Sequence, residues 1–192
     1  MASVETKFEK NFLLDRVPPS YEELQKDTIN DGYVTGSNGV YERIREVERG
    51  SAKTWKRFVT EVLSGVKIES SEDISEGSFM DSWKSLATDK RLRKIRLWHD
   101  VPLMAFDIYQ DELLGFGIAG SRHPTQIAAD SFNPPDWINQ GLEVTGLQQL
   151  QDPNLARLES GESLCGQLVL SAHGSTILVP ELVLPASLVL TS

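Results

Sequence analysis

The 192-residue sequence has few of the residues on which disulfide frameworks and metal centres depend. Its single cysteine, Cys165, allows no disulfide within the chain, which is typical of a reducing compartment. Its three histidines, His99, His123 and His173, lie far apart and show no spacing typical of metal ligands. We therefore expect neither a disulfide-stabilised secreted domain nor a metal site.

Long apolar segments are missing as well. No apolar run approaches the ~20 residues that a transmembrane helix requires, and Pro180, Glu181 and Pro185 interrupt the apolar stretch 176–190. The N-terminus shows no basic segment followed by an apolar one, and no Asn-x-Ser/Thr glycosylation acceptor occurs. These features predict a cytoplasmic protein that is not secreted and has no transmembrane segment.

Basic residues are almost missing from the second half of the chain. Of the 19 lysines and arginines only Arg122 and Arg157 follow position 96, whereas 11 of the 28 acidic residues do. Because phosphate binding requires clustered cations, this half predicts no specific contact with nucleic acid. Its acidic surface either keeps the protein in solution or meets a basic patch on another protein or on a second copy of the chain.

Hydrophobic periodicity predicts helices in the first half of the chain. A helix is expected over 40–49, and a second over 51–65, where apolar residues recur at i, i+3, i+4, i+7 and i+8. The polar, acidic stretch 66–77 is expected to be an exposed loop. Ser78 is then expected to cap a third helix.

The second half instead predicts short strands. Residues 101–119 indicate a hairpin, Asp152-Pro153 is typical of the start of a helical turn, and residues 164–190 indicate further strands. The order predicts an α+β fold, in which helices of the N-terminal half pack on a mainly antiparallel sheet from the C-terminal half. We expect a flexible arm over 1–40 and one globular domain over 41–192.

Signals for catalysis are weak. Gly115, Gly117 and Gly120 match the G-x-G-x-x-G pattern, but a dinucleotide site requires a long helix after the strand, and Pro124 follows too soon. We interpret the glycines as positions of close packing in a strand. No nucleophile signature is present, so the sequence predicts no cofactor, no catalytic residues and no enzyme.

The most specific motif in the sequence lies over 17–24, where Pro18 and Pro19 are followed by Tyr21 and Leu24. The prolines favour a polyproline II conformation, and one helical turn after Tyr21 would place Leu24 on the same side. These four residues would present one apolar surface to a WW domain. The alternative is a Pro-Pro turn whose tyrosine packs on its own domain.

This stretch resembles the extended PY motif that WW domains of HECT-type ubiquitin ligases bind. In a chain of this size it also resembles the late-domain motif of matrix proteins of enveloped negative-strand RNA viruses, rhabdoviruses in particular. The resemblance implies a non-enzymatic structural protein of cytoplasm, membrane surface or virion that self-associates and recruits a ubiquitin ligase for viral budding. The alternatives are a cellular cytosolic adaptor that links such a ligase to a client, and an enzyme of an unrecognised family.

One basic cluster stands out in the first half. Five of the seven residues over 90–96 are cations: Lys90, Arg91, Arg93, Lys94 and Arg96. We expect them on one side of a helix, opposite Leu92, Ile95 and Trp98. They would contact an anionic membrane surface or an acidic partner; the alternative is a solvated helix face.

Overall fold

The computed structural model describes residues 8–35, 40–63, 66–100, 103–157, 164–170 and 176–190. Within them the strands are β1 (Phe8–Leu13), β2 (Gln25–Thr35), β3 (Val40–Arg49), β4 (Ala52–Leu63), β5 (Val66–Asp73), β6 (Arg91–Asp100), β7 (Leu103–Tyr109), β8 (Gly117–His123), β9 (Leu168–Leu170) and β10 (Thr176–Leu178). The α-helices are α1 (Glu76–Ser85), α2 (Gln126–Asp130) and α3 (Asp152–Leu155). Short 3-10 turns cover Tyr21–Glu23, Thr88–Lys90, Asp111–Leu113, Gln140–Leu142, Gln148–Leu150 and Ala186–Leu188.

Eight strands form one antiparallel sheet in the order β1-β8-β7-β6-β2-β3-β4-β5, and β9 and β10 form a separate hairpin. The strands β1 to β5 all precede residue 74, and β1 and β2 lie in the segment that we expected to be an arm. The predicted α+β architecture is therefore wrong. The described fold is mainly β, and its N-terminal half supplies five strands of the sheet before the helix α1.

The helices predicted over 40–49 and 51–65 are wrong because residues 40–49 form β3 and residues 52–63 form β4, while residues 64–65 lie outside the described ranges. Their apolar residues do recur at helical spacing, but β4 is rich in Val, Thr, Phe and Trp, which favour strands. Pairing with neighbours on both sides then decides the structure, since β3 pairs with β2 and β4, and β4 with β3 and β5. The loop predicted over 66–77 is wrong for the same reason, because its first eight residues pair with β4 as β5.

Other local predictions are confirmed. Residues 101–119 hold the hairpin strand β7 and the start of β8, which pair in antiparallel register. The predicted third helix exists as α1, although it begins earlier: Ser75, not Ser78, is its N-cap, and the Ser75 hydroxyl accepts a hydrogen bond from the Ser78 amide. Asp152-Pro153 opens the helical turn α3, with proline in its first turn.

The sheet has two faces, which are buried differently. On one face a hydrophobic cluster around Phe106 and Leu97 is covered by the C-terminal residues Leu182 and Leu188. Here Gly117 permits close approach, since a Cβ at this position would lie 2.6 Å from the Leu182 side chain.

The opposite face bears charged residues, among them Asp31, Arg45, Arg96 and Asp107, and we call it the charged face. One part of it is closed by a second apolar cluster, in which Leu13 and Leu92 pack with Leu155, Val169 and Ile177 from the C-terminal half. The C-terminal half of the chain therefore covers parts of both faces. Across the described ranges, no helix combines the length and the apolar character needed to cross a bilayer.

Candidate functional site on the charged face of the sheet

Four cations from two strands define the site. Alternate residues of a strand point to the same face, so Arg43 and Arg45 of β3 share the charged face with Lys94 and Arg96 of β6. Only β2 separates β3 from β6 in the sheet, which places the two cation pairs about 10 Å apart across the sheet. The side chains of arginine and lysine are long enough to converge over that distance on one anionic ligand.

The carboxylates of β2 and β7 orient the two arginines nearest the centre. Arg45 donates two hydrogen bonds of 2.6 Å to Asp31, which lies directly opposite on β2. Arg96 donates bonds of 2.6 and 2.7 Å to Asp107 of β7. Such bidentate pairs fix the plane of each guanidinium and use only two of its five N–H donors. Three N–H donors of each guanidinium lie outside these bidentate pairs.

The buried pairs keep their carboxylates ionised. Burial by itself would raise the pKa of Asp31, but the adjacent Arg45 guanidinium lowers it to about 2. Burial also acts to raise the pKa of Asp107, and Lys94 and Arg96 together hold it well below its ordinary value. Both groups therefore carry a full negative charge at neutral pH.

Lys94 lies at the bottom of the charged face, with its side chain fully buried. Its ammonium group is 2.9 Å from Asp107 and also donates to Asp152 of α3. The Tyr109 hydroxyl donates to the other oxygen of Asp152 at 2.7 Å. This arrangement satisfies the requirement that a buried lysine be paired, and it draws an acidic residue of the C-terminal half into the site.

Two donors next to this network have no hydrogen-bond partner in the described part of the chain. They are the Nε of Arg43 and the hydroxyl of Tyr33, both inaccessible to solvent. The two residues are direct cross-strand partners, and the Arg43 guanidinium lies 4.2 Å from the centre of the Phe58 ring. Burial holds the pKa of Tyr33 well above 10, so the phenol stays a donor. Adjacent buried donors without partners are typical of a site that receives an anionic oxygen or an ordered water.

The described residues bring together no group of three or more His, Cys, Asp or Glu side chains placed to hold a metal ion. The central carboxylates are engaged with cations instead, as the pairs Asp31–Arg45 and Asp107–Arg96 show. We therefore assign no metal ligands and derive no chemical step through a metal.

The four residues of the Pro-Pro-x-Tyr motif lie away from these cations. Pro18 is buried and Pro19 is exposed, while Tyr21 and Leu24 are half-buried against the cluster around Phe106. The Tyr21 hydroxyl lies 3.3 Å from that of Ser187. The role of the motif as a WW-domain ligand stays a prediction.

The basic cluster over 90–96 is divided by the strand geometry. The helix expected there is wrong, because Arg91 and the residues after it form β6, while Lys90 ends a 3-10 turn. Lys94 and Arg96 lie on the charged face, whereas Arg91 and Arg93 lie on the opposite one. Arg91 donates to the carbonyl oxygens of Trp83 and Leu86 at the end of α1, and Arg93 pairs with Asp111 at 3.1 Å. Contact of this cluster with a membrane or partner stays a prediction.

Sequence reasoning missed most of the site. The sequence places Arg43 and Arg45 in a predicted helix and Tyr33 in a predicted arm, and it gives Asp107 no role and Asp152 only that of opening a helical turn. The signal was present as two short repeats of period two, Arg-x-Arg in β3 and Lys-x-Arg in β6.

The fold resembles that of solved structures over about four fifths of the chain. Two structures of the protein NE1496 match the chain with a TM-score of 0.60 each. One is described as a hypothetical protein, with 22% identity over 80% of this chain and 99% of the other. The second is described as an inorganic triphosphatase, with 24% identity over 81% of this chain and 97% of the other. No family model and no curated protein matches the sequence.

These comparisons correct the functional expectation. At this level of identity they show a shared fold, and that fold extends over about four fifths of the chain, whereas the viral resemblance rested on eight residues. The interpretation as a rhabdovirus-like matrix protein is wrong. The prediction that the chain is not an enzyme is also contradicted, because the protein whose fold it shares is an enzyme.

Proposed function

We propose that this protein is a phosphohydrolase that binds a short chain of phosphate groups, such as inorganic triphosphate, on its charged face. The observation that carries the proposal is the convergence of Arg43, Arg45, Lys94 and Arg96 on one face. Guanidinium groups match phosphate oxygens in bidentate geometry, and lysine adds a compact charge. The shared fold with a protein described as an inorganic triphosphatase supports the same ligand class.

The carboxylate partners of each cation indicate what that cation would do in ligand binding. Arg45 and Arg96 are oriented by Asp31 and Asp107 and would hold non-bridging oxygens in fixed positions. Arg43 has no close bidentate partner, since its contact with Glu69 is 3.5 Å long, so it would bind the ligand most directly. The phenol of Tyr33 beside it would donate to the same phosphoryl group.

These groups would stabilise the transition state electrostatically. In phosphoryl transfer the charge spreads over the oxygens of the transferred group and builds up on the leaving oxygen. Cations that the fold holds in place before the reaction stabilise that charge without reorganising. The water that attacks would enter from the open side of the charged face, where Arg43 is still 23% exposed.

A second candidate is a protein that binds the same anions without hydrolysing them. It is favoured by the engagement of the central carboxylates with cations, since phosphoryl-transfer enzymes commonly use carboxylate-held divalent ions to neutralise the phosphates. Here Asp31, Asp107 and Asp152 all form ion pairs with Arg45, Arg96 or Lys94. Both candidates would act in the cytoplasm, where the single cysteine predicts a reducing environment.

One experiment tests and separates the candidates. Binding of tripolyphosphate to the purified protein is measured by calorimetry, and release of inorganic phosphate is followed in parallel, with and without added Mg²⁺ or Mn²⁺. Arg43→Gln is expected to weaken binding about tenfold or more, because it removes a charge-assisted hydrogen bond. The matched control Arg16→Gln removes an exposed cation outside the site and is expected to change little.

The outcomes are distinct. Binding together with phosphate release that Arg43→Gln reduces supports the phosphohydrolase. Binding without release under any of the ionic conditions supports the second candidate. If tripolyphosphate does not bind, or if Arg16→Gln weakens binding as much as Arg43→Gln, the charged face is not a phosphate site and both candidates fail.

A further inference from the structure

Asp152 is a negative charge that the C-terminal half of the chain inserts into the charged face. It opens α3, which is anchored by the buried side chains of Leu155 and Ala156. One carboxylate oxygen accepts from the buried Lys94 ammonium, and the other accepts from the Tyr109 hydroxyl at 2.7 Å. Because the apolar residues of α3 hold the segment in place, the carboxylate is not required merely to attach α3 to the sheet.

The field of Asp152 reaches the centre of the proposed ligand site. Burial is the largest influence on the pKa of Tyr33, Arg45, Arg96 and Tyr109, which lie on four different strands, and the negative charge of Asp152 acts in addition to raise the pKa of each. Each of these groups is a cation or a donor that faces the same space. The carboxylate therefore stands among the groups that would hold an anionic ligand.

Lys94 has little capacity left for such a ligand. A lysine ammonium has three N–H donors, and Asp107 and Asp152 both accept from it. Asp107 also orients Arg96, so its carboxylate is shared between two cations, whereas Asp152 contacts Lys94 alone among the described cations. Of the two carboxylates, Asp152 is thus the one whose removal would free Lys94 without releasing an arginine.

We propose that Asp152 is an internal anion that occupies Lys94 in place of a phosphoryl group, and so determines how long a phosphate chain the charged face holds. This inference rests on the proposed function. With Asp152 ionised, a ligand reaches Arg43 and Arg45 but is repelled from Lys94, so a third phosphoryl group adds little affinity. Without that charge, Lys94 would bind the far end of the chain and longer ligands would gain most.

The test compares pyrophosphate, tripolyphosphate and tetrapolyphosphate by calorimetry on the full chain and on Asp152→Asn. Asparagine keeps an oxygen that can accept from Tyr109, removes the negative charge, and replaces the oxygen that accepts from Lys94 by an amide NH2. We expect Asp152→Asn to bind tripolyphosphate about tenfold more tightly or better, with a smaller gain for pyrophosphate. The matched control Asp136→Asn removes an exposed acid and is expected to change affinity less than about twofold.

A double variant connects the gain to Lys94. Adding Lys94→Gln to Asp152→Asn is expected to abolish the preference for longer chains, because the freed cation is then gone. Thermal unfolding of each variant verifies the fold, and Asp152→Ser, which is also neutral, replaces Asp152→Asn if that variant is unfolded.

Failure of this inference and failure of the proposed function look different. If the natural chain binds phosphate chains but the neutral variants bind them no more tightly, Asp152 does not compete with the ligand and the inference is overturned. The inference is also overturned if the neutral variants gain the same affinity for pyrophosphate, tripolyphosphate and tetrapolyphosphate. If neither the natural chain nor the neutral variants bind any phosphate chain, the proposed function itself fails and the inference fails with it.

Discussion

Replacing Asp31 by asparagine tests the central structural argument, which is that the charged face is held together by buried ion pairs. The side chain of Asp31 is fully buried, and that of Arg45 is 14% exposed. The substitution removes the negative charge but leaves the arginine in its buried position. A buried charge without its partner is costly because it has lost its hydration and gained nothing in return.

Two arguments give the expected loss of stability on replacing Asp31 by asparagine. The lowering of the Asp31 pKa from 3.8 to about 2 corresponds to about 2.5 kcal/mol of stability at neutral pH. Removal of one member of a buried pair commonly costs about 3 to 5 kcal/mol. We therefore expect Asp31→Asn to lower the free energy of unfolding by about 3 kcal/mol. With a denaturant slope of about 2 kcal/mol/M, the urea midpoint would fall by about 1.5 M.

The assay is urea unfolding at pH 7, followed by tryptophan fluorescence and circular dichroism. Glu9→Gln is the matched control, because Glu9 pairs with Arg122 at 3.0 Å on the surface, where both side chains are at least 44% exposed. That pair should contribute less than about 1 kcal/mol. In the double variant Asp31→Leu/Arg45→Met much of the loss should be recovered, since an apolar pair no longer buries a lone charge. A loss for Asp31→Asn no larger than for Glu9→Gln would refute the reasoning.

Two further predictions concern acid and packing. Asp31 and Asp107 have pKa values below their ordinary 3.8 in the folded protein. Their contribution to stability is therefore complete above about pH 5 and is lost as the pH falls from about 4 towards 2. A free energy of unfolding that stays constant across this range would contradict the prediction. Gly32→Ala should cost about 1 to 3 kcal/mol, because its Cβ would lie 2.5 Å from the Leu86 side chain. The matched variant Gly77→Ala in α1 meets only ordinary contacts and should be neutral or stabilising. Urea unfolding of both variants measures the difference, and equal midpoints would contradict the packing argument.

Local structure could be predicted where the chain itself determines it. The hairpin of β7 and β8 and the start of α3 at Asp152-Pro153 depend on turn residues and caps that act over a few positions. The strands β3 and β4 could not be recognised in the same way, because the neighbouring segments with which they pair have the same ambiguity. Apolar residues at helical spacing then favour the wrong structure.

The cations of the candidate site could not be predicted from the sequence for a different reason. A half-buried strand is recognised by alternation of apolar and polar residues, but β6 is buried on both faces and carries Lys94 and Arg96 on one of them. In the sequence alone, inward-pointing cations such as Lys94 and Arg96 cannot be distinguished from the cations on the solvated side of an amphipathic helix. They become recognisable as a site only when Asp27 and Asp107, on the two neighbouring strands, are known to lie opposite Arg96.

The uneven charge of the two halves has a physical explanation within one chain. The sequence left open whether the acidic second half meets a basic patch on another molecule. In the structure two of its acids, Asp107 and Asp152, meet Lys94 of the first half, and Asp107 also binds Arg96. The charged face is therefore complete only when both halves have folded together. A ligand would meet a face whose cations are already oriented and partly neutralised, so its affinity would depend on the acids of the second half as much as on the cations of the first.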